Sequence, residues 1–225
     1  METSILKKQT YKRLKYTLFI SILAFFLQAC GSVPISGRRQ LLLVPDQEVL
    51  ALSLQQYQDF MGKAPVIRNT ANAQMVDRVG RRISSAVELY LRNNGYESEI
   101  RNFSWEFNLV KSNDVNAFCM PGGKIVVYEG LLPITRDEEG LAIVMGHEIA
   151  HAVAKHSNER MSQQIALQYG GQIAGGLLGN NPAAQQLGGM VFGLGSQLGV
   201  MLPYARKHEY EADELGIIFM AMAGY

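Results

Sequence analysis

Residues 147–151 read His-Glu-Ile-Ala-His, and this pentapeptide constrains the chain more than any other stretch. On a helix, positions four apart project from one face about 5–6 Å apart. Two imidazoles can therefore grip one metal ion while the Glu148 between them reaches the water bound to it. The neighbours Leu141, Ile143, Val144, Ile149, Ala150 and Val153 are apolar, so a buried helix is expected. In such a place two imidazoles and a carboxylate are costly without a cation. Residues 135–138, Thr-Arg-Asp-Glu, read as a capping box with acidic side chains in the first turn. The helix is expected to begin there and to run to about His156.

A catalytic zinc keeps three protein ligands and leaves its fourth position to water. One Zn2+ per chain is expected, held by His147, His151 and a third side chain from downstream. His156, Glu159, His208, Glu209, Glu211, Asp213 and Glu214 are the candidates. His156 lies nine residues after His147, about 180° round a continuous helix, so it is expected to face away and to serve the helix C-terminus. Within Arg-Lys-His-Glu-Tyr-Glu-Ala-Asp, residues 206–213, Glu209 and Asp213 stand at i, i+4 on one face. One of these carboxylates can bind zinc while the other accepts the free N–H of a ligating histidine. Spacing leaves open which does which.

The rest of the chain reads as α+β and mainly helical. Helices are expected over 46–63 and 71–94, the second with Val76, Val79, Ile83, Val87 and Tyr90 on one stripe. Trp105, Phe107 and Leu109 alternate with polar residues as in a half-buried strand, and residues 124–128 (KIVVY) form a second β-rich run. Residues 116–120 lead into Pro121-Gly122-Gly123, a turn. The expectation is a small antiparallel sheet beside the HExxH helix. Residues 161–205 carry no charge but are interrupted by Gln163, Gln164, Gln168, Gln172, Asn180 and Asn181. Two helices packed through small residues, turning at 179–182 and lying over the cleft, fit this better than a membrane hairpin of about 20 apolar residues per pass. Residues 204–223 return to an amphipathic pattern.

At the other end, Lys7, Lys8, Lys12, Arg13 and Lys15 precede an apolar run of about a dozen residues and Cys30, the layout of an export signal. From Tyr16 onward acidic residues outnumber basic ones, and the whole chain is nearly neutral at +1, which argues against a nucleic-acid partner. Leu27-Gln28-Ala29-Cys30 resembles the lipobox of bacterial lipoproteins. That resemblance implies a signal peptide at 1–29, lipidation of Cys30, a lipidated tether over 30–45 and a metallopeptidase domain over 46–225. Cys119 is then the only remaining thiol, read as a packed small side chain in a domain without an internal disulfide.

Four motifs occur in order: SGRRQLLLVP, NAFCMPGGKIVVYEGLL, HEIAH and the E-x-x-x-D within RKHEYEAD. Together they resemble the HtpX-like and CAAX-prenyl-endopeptidase family of zinc metallopeptidases, of the gluzincin type, in its periplasmic lipoprotein branch. The resemblance implies a zincin-type domain with Glu209 as third ligand and Asp213 as the partner that supports a ligand and hence catalysis. Glu148 is the implied general base: it takes a proton from zinc-bound water and returns it to the leaving amine. The strand of Asn116, Ala117, Phe118, Cys119 and Met120 is placed along the cleft, where an exposed edge pairs with an extended substrate backbone. Glu211 and Glu214 are left as solvated charges and His208 as a structural residue. Protein or peptide substrates are implied, misfolded or unassembled cell-envelope proteins among them. The implied site of action is the periplasmic face of the bacterial outer membrane, reached through the lipid anchor, with outer-membrane assembly machinery as a partner. The chain stops at Ala223-Gly224-Tyr225 within an expected helix, whereas family members continue into a segment with a His-Pro and an Arg near the active site. A C-terminal truncation is therefore expected, and with it the alternative of a metal-bound, weakly catalytic chaperone or scaffold.

Overall fold

The computed structural model describes residues 16–17, 30–177 and 203–225 of the 225-residue chain. Most of the expected leader, the turn at 179–182 and the greater part of the expected helical pair over 161–205 lie outside the described residues. Among the described residues, no helix is long and apolar enough to cross a membrane.

The segment expected as a tether is instead folded onto the domain. Strand β1 (Cys30–Ser32) pairs antiparallel with β2 (Arg39–Leu41), Gly31 opposite Gln40. The intervening loop closes with Val33 N–H donating to Arg38 O at 2.9 Å. Val33 is fully buried in the main core. Leu43 N–H donates to Ser162 Oγ at 2.8 Å, and Asn158 Nδ2 donates to Val44 O at 3.0 Å. Backbone groups that a tether would leave to water are thus satisfied by the domain.

Helix α1 (Asp46–Met61) and short β3 (Val66–Ile67) follow. In α2 (Ala71–Asn93), Thr70 Oγ1 caps the first turn by accepting the Ala73 N–H at 3.2 Å. Val76, Val79, Ile83, Val87 and Leu91 form its fully buried stripe, each worth about 1.5–3 kcal/mol of transfer out of water. Short α3 (Glu97–Ile100) leads to β4 (Glu106–Val110), β5 (Ala117–Met120) and β6 (Lys124–Tyr128).

The four-stranded sheet runs β3-β4-β6-β5. Its β3–β4 and β5–β6 ladders are antiparallel, but β4 and β6 pair in parallel, Phe107 opposite Ile125. The chain crosses from β4 to the far edge before turning back through Pro121-Gly122-Gly123, so β6 fills the gap running the same way as β4. Lys124, Ile125, Val126 and Val127 of β6 are all buried, which explains the unbroken apolar run of the central strand. The edge position goes to β5.

After a 3-10 turn (Glu129–Leu131) and α4 (Leu132–Thr135), helix α5 (Glu138–Val153) carries the HExxH sequence. Asp137, rather than Thr135, is its cap, accepting the Gly140 N–H at 2.8 Å. Leu141, Ala142, Met145, Ile149 and Ala150 are fully buried along it. The helix stops at Val153, two residues before a left-handed Lys155 (φ +56), and α6 (His156–Leu177) starts in a new direction. Lys155 is pinned there by Asp46 at 2.6 Å and Glu99 at 2.7 Å. The last helix, α7 (Pro203–Met222), packs along α5.

Candidate metal centre

Where α5 crosses α7, two glycines meet. A Cβ built on Gly146 would sit 2.8 Å from Gly216 O, and one on Gly216 would sit 2.8 Å from His147 N. Backbone thus lies against backbone, and the side chains one and two turns before Gly216 are brought over the histidines of α5.

The result is a tight cluster. His147 Nε2 and His151 Nε2 are 3.0 Å apart, with Glu209 Oε2 3.4 Å from the first and Glu209 Oε1 3.6 Å from the second. A zinc ion about 2.0–2.1 Å from each of its ligands sets tetrahedral edges of roughly 3.3 Å, so these spacings fit one ion. Donor chemistry agrees. His147 Nδ1 faces Asp213 Oδ1 at 2.8 Å, and a carboxylate only accepts, so the ring proton sits on Nδ1 and leaves the Nε2 lone pair directed at the cluster. The His147 Nε2 lone pair and the Glu209 carboxylate thus both face the space beside His151 Nε2, a donor set that suits a cation. Among the described residues, this is the one group of three or more side chains of ligand type so arranged.

Glu148 lies beside the cluster, and its Oε2 accepts the backbone N–H of Cys119 at 3.0 Å. Burial pushes the Glu148 carboxyl up to about 7, against the opposing influence of His147 and the Cys119 N–H. That value suits a group that must take up and release a proton near neutral pH. Tyr128 N–H bonds Asn116 O, and the β5–β6 register alternates from there. Phe118 and Met120 therefore direct their backbone groups to β6, while Ala117 and Cys119 direct theirs outward, alongside Glu148. The Cys119 thiol is held well above its ordinary pKa by burial and by Glu148, as suits a packed side chain rather than a nucleophile.

The other side of the cluster departs from the sequence reading. Because α5 breaks at Lys155, His156 does not face away: its Nδ1 lies 2.8 Å from His151 Nδ1. Its Nε2 lies 2.9 Å from Glu211 Oε2, and the ring is fully buried. Glu211, expected as a solvated charge, is only 7% exposed. Ser36 Oγ donates to its Oε1, and Arg38 Nε donates to its Oε2 at 2.7 Å. Arg38 also reaches Glu159 at 2.7 Å through its Nη2, and His208 lies 2.9 Å from the same Glu159 oxygen. Burial acts to raise the carboxyls of Glu159 and Glu211, but their hydrogen bonds from histidine, Arg38 and, for Glu211, Ser36 prevail and hold each at about 2. Burial, with the His156 and His147 rings nearby, lowers His151 to about 3. His208 is buried against Glu159, and Glu214 is exposed.

Sequence reasoning missed Ser36, Arg38, His156, Glu159 and Glu211 as one assembly. A signal existed in α7. Glu211 stands three residues after His208 and four before Leu215, on the stripe that also carries Ala212 and Phe219, and a charge on an apolar stripe requires a partner. Nothing local identifies that partner as Arg38, 173 positions away.

A family model described as Peptidase family M48 matches residues 77–225. A mitochondrial metalloendopeptidase OMA1 of Schizosaccharomyces pombe is 36% identical over 126 residues, 56% of this chain and 35% of its own length. The mitochondrial metalloendopeptidase OMA1 of Homo sapiens is 27% identical over 228 residues, 96% of this chain and 42% of its own. A beta-barrel assembly-enhancing protease of Escherichia coli strain K12 is 27% identical over 170 residues, 73% of this chain and 32% of its own. The chain thus spans less than half the length of these relatives. The matches also overturn the expected location at the bacterial outer membrane. The higher-identity and longer-spanning relatives are mitochondrial proteins, so neither the leader nor the motifs establish that address.

Proposed function

The chain belongs to Peptidase family M48, and from that premise we propose that it is a zinc-dependent endopeptidase in which His147, His151 and Glu209 hold the metal. The observation that carries this reading is the convergence of the two Nε2 atoms and the Glu209 carboxylate next to a Glu148 carboxyl bonded to an edge strand. A metal held there would supply Lewis acidity to polarise a peptide carbonyl and acidify water.

The protein's own groups do the rest. Glu148 takes the proton from the attacking water and returns it to the leaving amine, and its raised carboxyl serves both directions. Asp213 holds the His147 ring in one tautomer. Ala117 presents its outward N–H and C=O, and Cys119 its C=O, to an extended substrate backbone, while the Cys119 N–H holds Glu148 and the remainder of the Asn116, Phe118 and Met120 strand is anchored to the sheet. Main-chain pairing gives weak sequence preference, which suits unfolded or unassembled proteins as substrates.

Lipid attachment at Cys30 after removal of residues 1–29 also belongs to this reading. Its support is the basic stretch and apolar run that lead to Leu27-Gln28-Ala29-Cys30.

Casein digestion tests the assignment. Wild-type cleavage should be zinc-dependent and chelator-sensitive, and Glu148→Gln should keep stoichiometric zinc while losing cleavage. Proteolysis retained by that variant with unchanged zinc content overturns the role of Glu148. Stoichiometric zinc without any wild-type cleavage favours the scaffold alternative.

A further inference from the structure

The two histidines of the proposed metal centre are supported differently. His147 leans on one carboxylate, and His151 leans on another histidine. The hydrogen bonds around that second histidine fix what it does.

Glu211 receives Ser36 Oγ on one oxygen and Arg38 Nε on the other, so its carboxylate is an acceptor, and the His156 Nε2 at 2.9 Å must donate to it. One proton remains to be placed between the two Nδ1 atoms, 2.8 Å apart. If it sat on His156, the neutral His151 would carry its own proton on Nε2, directed into the cluster of His147 and Glu209, and no cation could bind there. With metal present the proton sits on His151 Nδ1 and points at His156. We propose that His156 is a positioning residue for the metal. It accepts the Nδ1–H of His151 and, through its own Nε2–H, ties that ligand to a carboxylate held by Ser36 and Arg38.

This inference rests on the zinc-peptidase reading and adds a part to it. The His156 ring has little freedom to turn. It stacks on His208 with centroids 4.3 Å apart and planes 14° apart, and His208 in turn donates to Glu159. Arg38 joins both layers by bonding Glu159 and Glu211 at once. The segment from Ser36 to Arg38, within the SGRRQ motif, thereby becomes part of the metal site, although neither residue touches a ligand. Such supports keep a ligating ring in one tautomer and raise its basicity, and losing one typically weakens metal binding about 10–100-fold.

The chain has only four histidines, and all four stand in this assembly, so imidazole 15N spectra of the full chain are simple to assign. Zinc-loaded protein should show His151 protonated at Nδ1 and His156 at Nε2. A proton on His156 Nδ1 in the zinc-loaded state overturns the proposal whatever any variant does.

Two variants then separate positioning from folding. Zinc affinity is measured by competition with a chromophoric chelator, and thermal unfolding is followed without metal. Glu211→Gln should bind zinc about 10–100-fold more weakly. Glu159→Gln loosens the neighbouring layer of the same cluster but leaves the chain of bonds to His151 intact, so it should bind zinc nearly as wild type does. Equal losses of affinity in both variants, tracking equal losses of stability, overturn the proposal. A wild type that takes up no zinc overturns the peptidase reading as well as this one, whereas tight binding unaffected by Glu211→Gln overturns only this one.

Discussion

The solvent side and the buried side of the metal centre each support one histidine, but in opposite surroundings. On one side His147 meets Asp213, which is 65% exposed at its side chain. On the other, His151 meets His156 and then Glu211, which are 0% and 8% exposed. An exposed carboxylate costs little to desolvate and little to lose, and its effect is confined to the ring it touches. A buried carboxylate must be matched at every oxygen, which here enlists Ser36, Arg38, Glu159 and His208. The exposed support adjusts the metal site alone, whereas the buried one makes the metal site and the fold a single unit.

Arg38→Ala is the harshest test of that contrast. It strips the shared cation from two buried carboxylates and should lower the stability of the metal-free protein by roughly 3 kcal/mol in urea unfolding. Asp213→Ala should leave that stability within about 0.5 kcal/mol while weakening zinc binding about 10–100-fold. Comparable destabilisation by the two substitutions would erase the distinction.

Gly216→Ala acts on both sides together. Its Cβ would lie 2.8 Å from His147 N, so α7 must shift with Glu209 and Asp213 aboard. A stability loss of about 1–3 kcal/mol with weaker zinc binding is expected from thermal unfolding and chelator competition.

Acid should weaken the fold through the buried side. Glu159 and Glu211 are held at about 2 against an ordinary 4.5, so the folded state binds their protons more weakly than the unfolded state does. Their contribution is complete above about 4.5 and disappears as pH falls towards 2. Metal-free protein followed by circular dichroism should lose stability across that window, and Glu211→Gln should flatten the dependence there.

The smallest effect is expected at Cys119. Glu148 is bonded by its backbone N–H and not by its thiol, so Cys119→Ala should change stability by less than about 1 kcal/mol and keep the cleavage activity. The wild-type thiol should react slowly with thiol reagents at neutral pH.

Much of this architecture was legible wherever a periodic pattern decided the matter. The stripe of α2, the apolar run of β6 and the extent of α7 all follow from spacing within one element. His147, Glu148 and His151 were legible for the same reason, since three positions on one helix fix their own relative geometry. His156 was misjudged because a rule valid inside a helix was carried across its end, past a left-handed Lys155 held by Asp46 and Glu99. Residues 30–45 look like a spacer because they adjoin a leader, and nothing local in them shows that Val33 joins a core built mainly from residues 76–223.

The sequence by itself determined a pair of imidazoles with a carboxyl between them, the amphipathic helices that bury their apolar faces, and two carboxylates one turn apart in α7. Those properties depend on bond geometry and on the 3.6-residue turn, which act over a few neighbours. Only the tertiary structure decided that Glu209 meets the histidines while Asp213 stands behind His147, and that Glu211 turns inward to Arg38. These outcomes depend on how closely α7 can approach α5, which the facing backbones of Gly146 and Gly216 set. They depend as well on the rule that a buried charge must find its partner wherever the chain brings one.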